Sequence, residues 1–278
     1  MNRFSLAPGL LAALLLTGCG VTTQYVTTLD GQLDAADLTR FDVDVGAGEL
    51  WVVGSDTATG IEVSMEVWRA MGPWGAGECD LDDLDIRLED LGGGHGRLVV
   101  HVPERVPNYW VDVTVTLPSS LDLVVDDGTG DLQIQDVASL VLDDATGDAV
   151  VERVAGDVDV DDGTGDLRIS DLGGHLLVRD DTGDLVVERV LGDVDVDDGT
   201  GSTRITQVGG SVGIVDGTGD IVVEEVEGDV DIVDESGDIR VHRVDGMVTI
   251  SDGIGDIYVS DVGGLEILSD STGDVITQ

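Results

Sequence analysis

One spacing constrains this chain more than any other feature. From residue 126 onward, a glycine closes a Thr-Gly pair or a variant of it at nearly constant intervals, of which the first is 17 residues and the next seven are all 18. A fixed period of this length is typical of a repeat protein in which each unit stacks on the next. The closing glycines are Gly130, Gly147, Gly165, Gly183, Gly201, Gly219, Gly237, Gly255 and Gly273.

Each 18-residue unit divides into two halves, because a second glycine lies midway between the closing ones. Each half carries one short alternation of apolar and polar residues, such as Val158 and Val160 in one half and Leu167 and Ile169 in the other. Strands this short bury an apolar face only when coils stack in parallel, ~4.8 Å apart. The sequence therefore predicts an all-β fold, a parallel, right-handed β-solenoid with 18-residue coils of two to three short strands. We expect the corner glycines to supply the positive φ of tight turns.

Two rows of aspartates bracket the closing glycines. One lies three residues before the glycine in all nine coils, and one lies directly after it in eight, with Ser202 as the exception. The first row is Asp127, Asp144, Asp162, Asp180, Asp198, Asp216, Asp234, Asp252 and Asp270. The second row is Asp131, Asp148, Asp166, Asp184, Asp220, Asp238, Asp256 and Asp274.

We interpret the two rows as a turn-capping ladder, in which the first aspartate accepts hydrogen bonds from N–H groups of its own turn. The alternative is a calcium site built from the same carboxylates. The corner differs from the nonapeptide of the calcium-loaded β-roll, because here an aspartate follows the glycine directly and an apolar residue follows the aspartate. No cofactor is therefore predicted, and calcium at the ladder remains the open alternative.

The outward residues of the second half alternate between coils, so that Asp157 and Asp159 give way to His175 and Leu177 in the next coil. Two carboxylates ~5 Å apart repel by roughly 3 kcal/mol at an effective dielectric constant of 20. Because these outward aspartates occur only in every second coil, the distance between them doubles and their repulsion is relieved without a bound cation. The true super-repeat is thus about 36 residues.

The amino terminus has the pattern of an export signal. Polar Asn2 and Arg3 precede an apolar run at residues 10–16 that is too short to span a bilayer. The Leu-Thr-Gly-Cys segment at residues 16–19 resembles a bacterial lipobox, which implies a signal peptide over residues 1–18 and lipidation of Cys19. An ordinary signal peptide with an incidental cysteine is the alternative. Gly20 stands where a retention signal usually has aspartate, so the resemblance implies the outer membrane of a Gram-negative cell.

Residues 19–40 are predicted to be a polar tether, residues 41–120 a β-rich capping region and residues 121–278 the solenoid repeats. All four tryptophans lie before residue 121. We expect them in a core or cap beside the first coil, with a ligand platform as the alternative. With Cys19 lipidated, Cys79 has no partner within the chain, so it is a free thiol or bridges to another chain.

The charge of the chain limits its partners. Its 58 acidic residues against 13 arginines give a net charge of −45. This charge repels nucleic acid and anionic lipid, so we exclude nucleic acid as a partner and expect contact with membranes only through the lipid anchor. The constant coil length provides no cleft-forming insertion, and no nucleophile triad or phosphate-binding loop is present. We therefore predict that the protein is not an enzyme and has no catalytic residues; a polysaccharide-acting enzyme is the less favoured alternative.

One family resembles this chain over residues 41–278. The strand Val113-Thr-Val-Thr-Leu-Pro118 leads into Leu123-Val-Val and then into recurrent [ST]-G-D units with apolar alternation. This pattern is similar to the bacterial adhesin-like β-solenoid family, a domain of unknown function. The resemblance implies an envelope-associated solenoid without catalytic residues. We therefore expect a lipid-anchored cell-envelope protein that presents a regular acidic surface for adhesion, binding or scaffolding to an envelope or host-surface ligand. A calcium-dependent structural module is the alternative.

Overall fold

The computed structural model describes residues 5–6, 22–71, 81–103 and 108–278. The chain divides into two units, Met1–Ala138 and Ser139–Gln278. Within the described part, no helix has the length and apolar character that crossing a membrane requires. Cys19 and Cys79 lie outside the described residues.

The described residues of the first unit form β-strands and one 3-10 turn at Leu81–Asp83. Its strands are β1 (Ser5–Leu6), β2 (Thr22–Asp34), β3 (Arg40–Val45), β4 (Leu50–Ser55), β5 (Gly60–Met71), β6 (Asp85–Gly92), β7 (His95–His101), β8 (Tyr109–Pro118), β9 (Asp122–Asp127) and β10 (Leu132–Gln135).

Three parallel layers form the centre of this unit. Strand β3 pairs in parallel with both β7 and β9, and β4 pairs in parallel with both β8 and β10. The layer formed by β3 and β4, which comes first in the chain, thus lies between the layer of β7 and β8 and the layer of β9 and β10. Antiparallel strands widen the sheets, because β5 joins β8, β2 joins β5, β1 joins β2 and β6 joins β7. Alternating residues such as Phe41, Leu50, Leu98 and Leu117 are fully buried between the sheets.

Three aromatic residues occupy one row of the first unit. Trp68 on β5 is the cross-strand partner of both Tyr25 on β2 and Trp110 on β8. The Tyr25 and Trp68 rings meet edge to face at 5.5 Å, and the Trp68 and Trp110 rings stack with centroids 6.4 Å apart. All three rings are half-buried, and Trp51 is 38% exposed.

The second unit continues with fourteen strands. They are β11 (Ser139–Asp144), β12 (Ala149–Val154), β13 (Val158–Asp162), β14 (Leu167–Leu172), β15 (Leu176–Asp180), β16 (Leu185–Val190), β17 (Val194–Thr200), β18 (Thr203–Val208), β19 (Val212–Thr218), β20 (Ile221–Val226), β21 (Val230–Ser236), β22 (Ile239–Ile254), β23 (Ile257–Thr272) and β24 (Val275–Thr277).

Each coil from β11 to β21 contributes one strand to each of two parallel sheets, and the continuous strands β22 and β23 extend both sheets, which confirms the predicted β-solenoid. Strands β11, β13, β15, β17, β19 and β21 pair in succession, and so do β12, β14, β16, β18 and β20; β22 pairs with both β20 and β21. The register advances by one coil, so that Val158 pairs with Leu176 and Leu176 with Val194. Stacked valine, leucine and isoleucine side chains fill the interior.

The corner glycines are required chiefly because of close backbone approach, which corrects the expectation that they supply positive φ. Only four closing glycines have φ between +20° and +160°, and all four are near the extended end of that range, at 143–158°. A Cβ on Gly219 would lie 1.5 Å from the carbonyl oxygen of Gly201, one coil earlier, and one on Gly201 would lie 1.6 Å from that of Gly183. The corners pack backbone on backbone, so no side chain fits.

The left-handed turn lies at a different position, which sequence reasoning missed. One residue per coil, directly before an inward apolar residue, has φ between 52° and 61° although it is not glycine. The signal was a charged or polar residue before valine or leucine, recurring every 18 residues. This corner row is Asp136 in the first unit and Arg153, Asp171, Arg189, Gln207, Glu225, Arg243 and Asp261 in the second.

Candidate functional site

The first aspartate row faces the interior of the solenoid. In each coil from Asp127 to Asp252 the aspartate lies two residues after an inward apolar residue, as Asp162 does after Val160, and strand geometry therefore points both side chains the same way. Asp127 in the first unit is 1% exposed, and those of the second unit from Asp144 to Asp252 are 1–4% exposed. Asp270 is half-buried. We call the second-unit members from Asp144 to Asp252 the interior carboxyl column.

Some members of the column bind their own turn. The N–H of Thr146 donates to Asp144 Oδ1 at 3.1 Å, and the N–H of Ser236 donates to Asp234 Oδ1 at 2.9 Å. Main-chain N–H groups of their own turns also favour the ionised forms of Asp162, Asp180 and Asp216, but no side chain donates to these three buried carboxyl groups in the described part of the chain. The interior carboxyl column is thus capped mainly by the backbone of its own turns.

These buried carboxyl groups are hard to ionise. Burial, and after it the carboxylates of Asp180 and Asp144 in the adjacent coils, raise the pKa of Asp162 to about 7. Burial and the charge of Asp198 likewise raise the pKa of Asp180 and of Asp216 to about 7. Two causes therefore act together, loss of hydration and repulsion between carboxylates in neighbouring coils.

Burial also raises the pKa of Asp234, to about 6, although the main-chain N–H of Ser236 favours its ionised form. The pKa of Asp252 is raised by burial and by Asp270. The smaller rise at the capped Asp234 is consistent with its hydrogen bond, because a donor stabilises the charged carboxylate.

The second aspartate row lies at the surface and joins successive coils. Six carboxylates of this row accept the main-chain N–H of the residue at the same position one coil later, at 2.9–3.1 Å. The bonded carboxylates are those of Asp148, Asp166, Asp184, Asp220, Asp238 and Asp256, and the last N–H belongs to Asp274. This cap acts between coils, whereas the interior row faces its own turn. Asp131 lies at the equivalent corner of the first unit and is exposed.

A third row at the opposite corner uses the same hydrogen bond; its alternation is visible in the sequence, but sequence reasoning missed this role. Asp157 Oδ1 accepts the N–H of His175 at 2.9 Å, and His175 Nδ1 accepts the N–H of Asp193 at 3.0 Å. Asp193 and Ser211 continue the row in the next two coils. Because Nδ1 accepts, a neutral His175 carries its proton on Nε2. The signal was the polar residue after each of the five midway glycines from Gly156 to Gly228.

The alternation of the super-repeat forms ion pairs on the outer face of the other sheet. Arg168 on β14 reaches diagonally to Glu188 on β16, at 3.1 Å. Valine replaces this arginine at position 186 and serine replaces the glutamate at position 170. One coil therefore carries the arginine and the next carries the glutamate, so that positive and negative side chains alternate along this face.

A groove follows the left-handed corner row of the second unit. One section has a volume of about 510 Å³ and is lined by Arg189, Leu191, Gln207, Glu225, Glu227 and Arg243, among others. A second section of about 430 Å³ lies on the other side of Arg189. Arg189 pairs with Asp171 at 2.7 Å and Arg243 with Glu225 at 2.7 Å, while Leu191 is 74% exposed. The groove combines apolar surface with paired charges.

The carboxylates do not converge on a point in the way a metal cage requires. Calcium takes six to eight oxygen ligands. Among the described residues, no group of three or more His, Cys, Asp or Glu side chains is placed to hold a metal ion. The interior column contributes one carboxyl group per coil, and one oxygen of most second-row carboxylates already accepts an N–H.

Comparison with known proteins gives no match to a family model or to a curated protein. Solved structures do match. One is described as a "putative adhesin" from Bacteroides fragilis, with 12% identity, a TM-score of 0.39 and coverage of 91% of this chain and 97% of that chain. One from Parabacteroides distasonis is described as a "putative lipid binding protein", with 13% identity, a TM-score of 0.45 and coverage of 90% and 95%.

A third, from Parabacteroides merdae, is also described as a "putative adhesin", with 14% identity, a TM-score of 0.40 and coverage of 93% of this chain and 95% of that chain. This likeness transfers no residue and no function to the present chain.

Proposed function

We propose that the protein is a non-catalytic, lipid-anchored component of the cell envelope whose solenoid surface binds an extended polymer in adhesion or scaffolding. The observation that carries the proposal is the corner groove of the second unit, which runs across successive coils and combines exposed Leu191 with paired arginines. An extended groove of repeated units suits an extended ligand.

The ligand class follows from charge. A chain of net charge −45 repels polyanions, and the groove offers paired rather than free arginines. We therefore propose a neutral polysaccharide of the envelope or surrounding matrix as the occupant. The Leu-Thr-Gly-Cys segment supports an anchor at Cys19, and Gly20 supports the outer membrane of a Gram-negative cell.

Binding of the mature chain to a panel of neutral and anionic envelope glycans and matrix polymers tests this function. We expect binding to a neutral polymer, a loss of at least tenfold in affinity for Leu191→Asp and no change for Val215→Asp, which adds the same charge at a 51% exposed valine. Binding to no polymer, or equal loss in both variants, would refute the groove as the binding surface.

Cys19 is tested separately in cells by labelling with a fatty-acid analogue. Label that persists in Cys19→Ala, or protein that fractionates without membranes in the wild type, would refute the anchor.

The calcium-dependent module is the second candidate, because Asp162, Asp180 and Asp216 bury carboxyl oxygens to which only main-chain N–H groups of their own turns donate among the described residues. Thermal melting with millimolar calcium and with a chelator distinguishes the two. A scaffold independent of cations melts at the same temperature in both, whereas a large loss of structure after chelation would support the calcium module.

A further inference from the structure

One coil departs from the repeat at two adjacent corner positions. Ser202 stands where the other coils carry the exposed second-row aspartate, and Thr203 stands where they carry an interior apolar residue such as Leu185 or Ile221. Thr203 is fully buried, and its Oγ1 donates to Asp198 Oδ2 at 2.7 Å. Both departures therefore lie beside a single member of the interior carboxyl column.

This donor makes Asp198 different from its neighbours in the column. Burial raises the pKa of Asp198, but the Thr203 hydroxyl and the Thr200 N–H oppose that rise by stabilising the carboxylate. Asp180 pairs in register with Asp198, and Asp198 with Asp216, so these three carboxyl groups occupy successive coils. No side chain donates to Asp180 or Asp216 among the described residues, and only main-chain N–H groups of their own turns favour their ionised forms.

The charge of Asp198 acts on both neighbours. After burial, it is the main cause that raises the pKa of Asp180 and of Asp216 to about 7. The other charged groups that act on the three are also carboxylates: Asp166, Asp181, Asp184, Asp197 and Asp234. One ionised group between two neutral ones is the arrangement that limits repulsion in such a row.

We propose that Thr203 holds Asp198 as the ionised member of the interior carboxyl column, with protonated Asp180 and Asp216 on either side, so that folding of the Ser139–Gln278 unit is coupled to proton binding. Thr203 is a positioning residue in this arrangement, because it acts through Asp198. Stability from the flanking carboxyl groups is fully present below the pKa of an unfolded aspartate and is lost as pH rises through about 7. The unit is thus more stable in mildly acidic surroundings than in alkaline ones.

The test compares Thr203→Val with Thr206→Val in the mature chain. Valine keeps the shape of threonine and removes the hydroxyl, and the matched control removes an outward-facing hydroxyl from the same strand. Carbon-13 NMR of selectively labelled aspartate follows each carboxyl group from pH 3 to pH 9, a range chosen to bracket the ordinary and raised values.

In the wild type, we expect Asp198 to titrate below both Asp180 and Asp216. In Thr203→Val the midpoint of Asp198 should rise by about one pH unit, which is the worth of one hydrogen bond to a charged group. Once Asp198 is neutral, the midpoints of Asp180 and Asp216 should fall, because the charge beside them is gone. If Thr203 had a purely structural role, its replacement would not raise the midpoint of Asp198 and at the same time lower the midpoints of Asp180 and Asp216.

Asp198→Asn provides an independent check, since it removes the charge and keeps a carbonyl oxygen for the Thr203 hydroxyl. The midpoints of Asp180 and Asp216 should again fall. Unchanged midpoints in Thr203→Val and Asp198→Asn, or a wild type in which all three titrate together near pH 4, an unfolded aspartate's value, would overturn the proposal.

Discussion

Replacing Gly219 by alanine tests the packing of the corners directly. The new methyl group would lie 1.5 Å from the carbonyl oxygen of Gly201, whereas an ordinary contact begins at about 3.4 Å. The two coils must therefore separate locally by roughly 2 Å. Two hydrogen bonds join these two coils at the corner, from Gly201 N–H to Thr218 O and from Thr203 N–H to Asp220 O, each 3.0 Å long.

The cost follows from those bonds. Each contributes about 1 kcal/mol, and a polar group left without a partner costs about 1–3 kcal/mol more. We expect Gly219→Ala to lower the free energy of unfolding by roughly 3–5 kcal/mol, a large share of the 5–15 kcal/mol typical of a folded domain.

Urea unfolding followed by circular dichroism measures this change, with Gly213→Ala as the matched control. A Cβ on Gly213 meets only the Asp195 carboxylate at 2.8 Å, and this flexible side chain can rotate away. The control should change stability by no more than about 0.5 kcal/mol. If Gly219→Ala costs less than about 1 kcal/mol, or no more than its control, the close-approach explanation of the corner glycines is wrong.

Three further perturbations address the site. Gln207 has φ +60°, a conformation that glycine adopts without strain and a β-branched residue does not. In the same urea assay, Gln207→Gly should raise the free energy of unfolding by about 0.5–1 kcal/mol and Gln207→Val should lower it by about 1–2 kcal/mol. Equal effects of the two substitutions would contradict a strained corner. Asp184→Ala should cost about 1–2 kcal/mol, because Asp184 accepts the Ser202 N–H at 2.9 Å, whereas exposed Asp181→Ala should cost less than about 0.5 kcal/mol. Burial raises the pKa of Asp162 to about 7, so the folded chain holds one proton between pH 5 and pH 7 that the unfolded chain releases, and the free energy of unfolding falls as pH rises. Asp162→Asn should make this fall shallower than in the wild type by ~1.4 kcal/mol per pH unit. An unchanged slope would show that Asp162 is ionised throughout this range.

Part of the site could be predicted from the sequence and part could not. Both aspartate rows were recognisable from their spacing, and the inward direction of Asp162 follows from its place two residues after Val160. The donors were not recognisable, because the N–H that Asp166 accepts belongs to Asp184, 18 residues later, and only the stacking of coils brings them together. The left-handed corner was also missed, since Arg189 and Gln207 are not residues that favour positive φ.

By itself, the sequence determined the class of fold and the length of each coil. Apolar residues at every second position cannot form a helix face, and an 18-residue period leaves stacking of parallel coils as the way to bury them. The tertiary structure decided the order of layers in the first unit, where β3 lies between β7 and β9, because that order depends on which strands pair over long distances. It also decided the chemistry of the aspartates. A single buried carboxyl group is a local property, but mutual repulsion and shared protons arise only when stacking places Asp180, Asp198 and Asp216 in neighbouring coils.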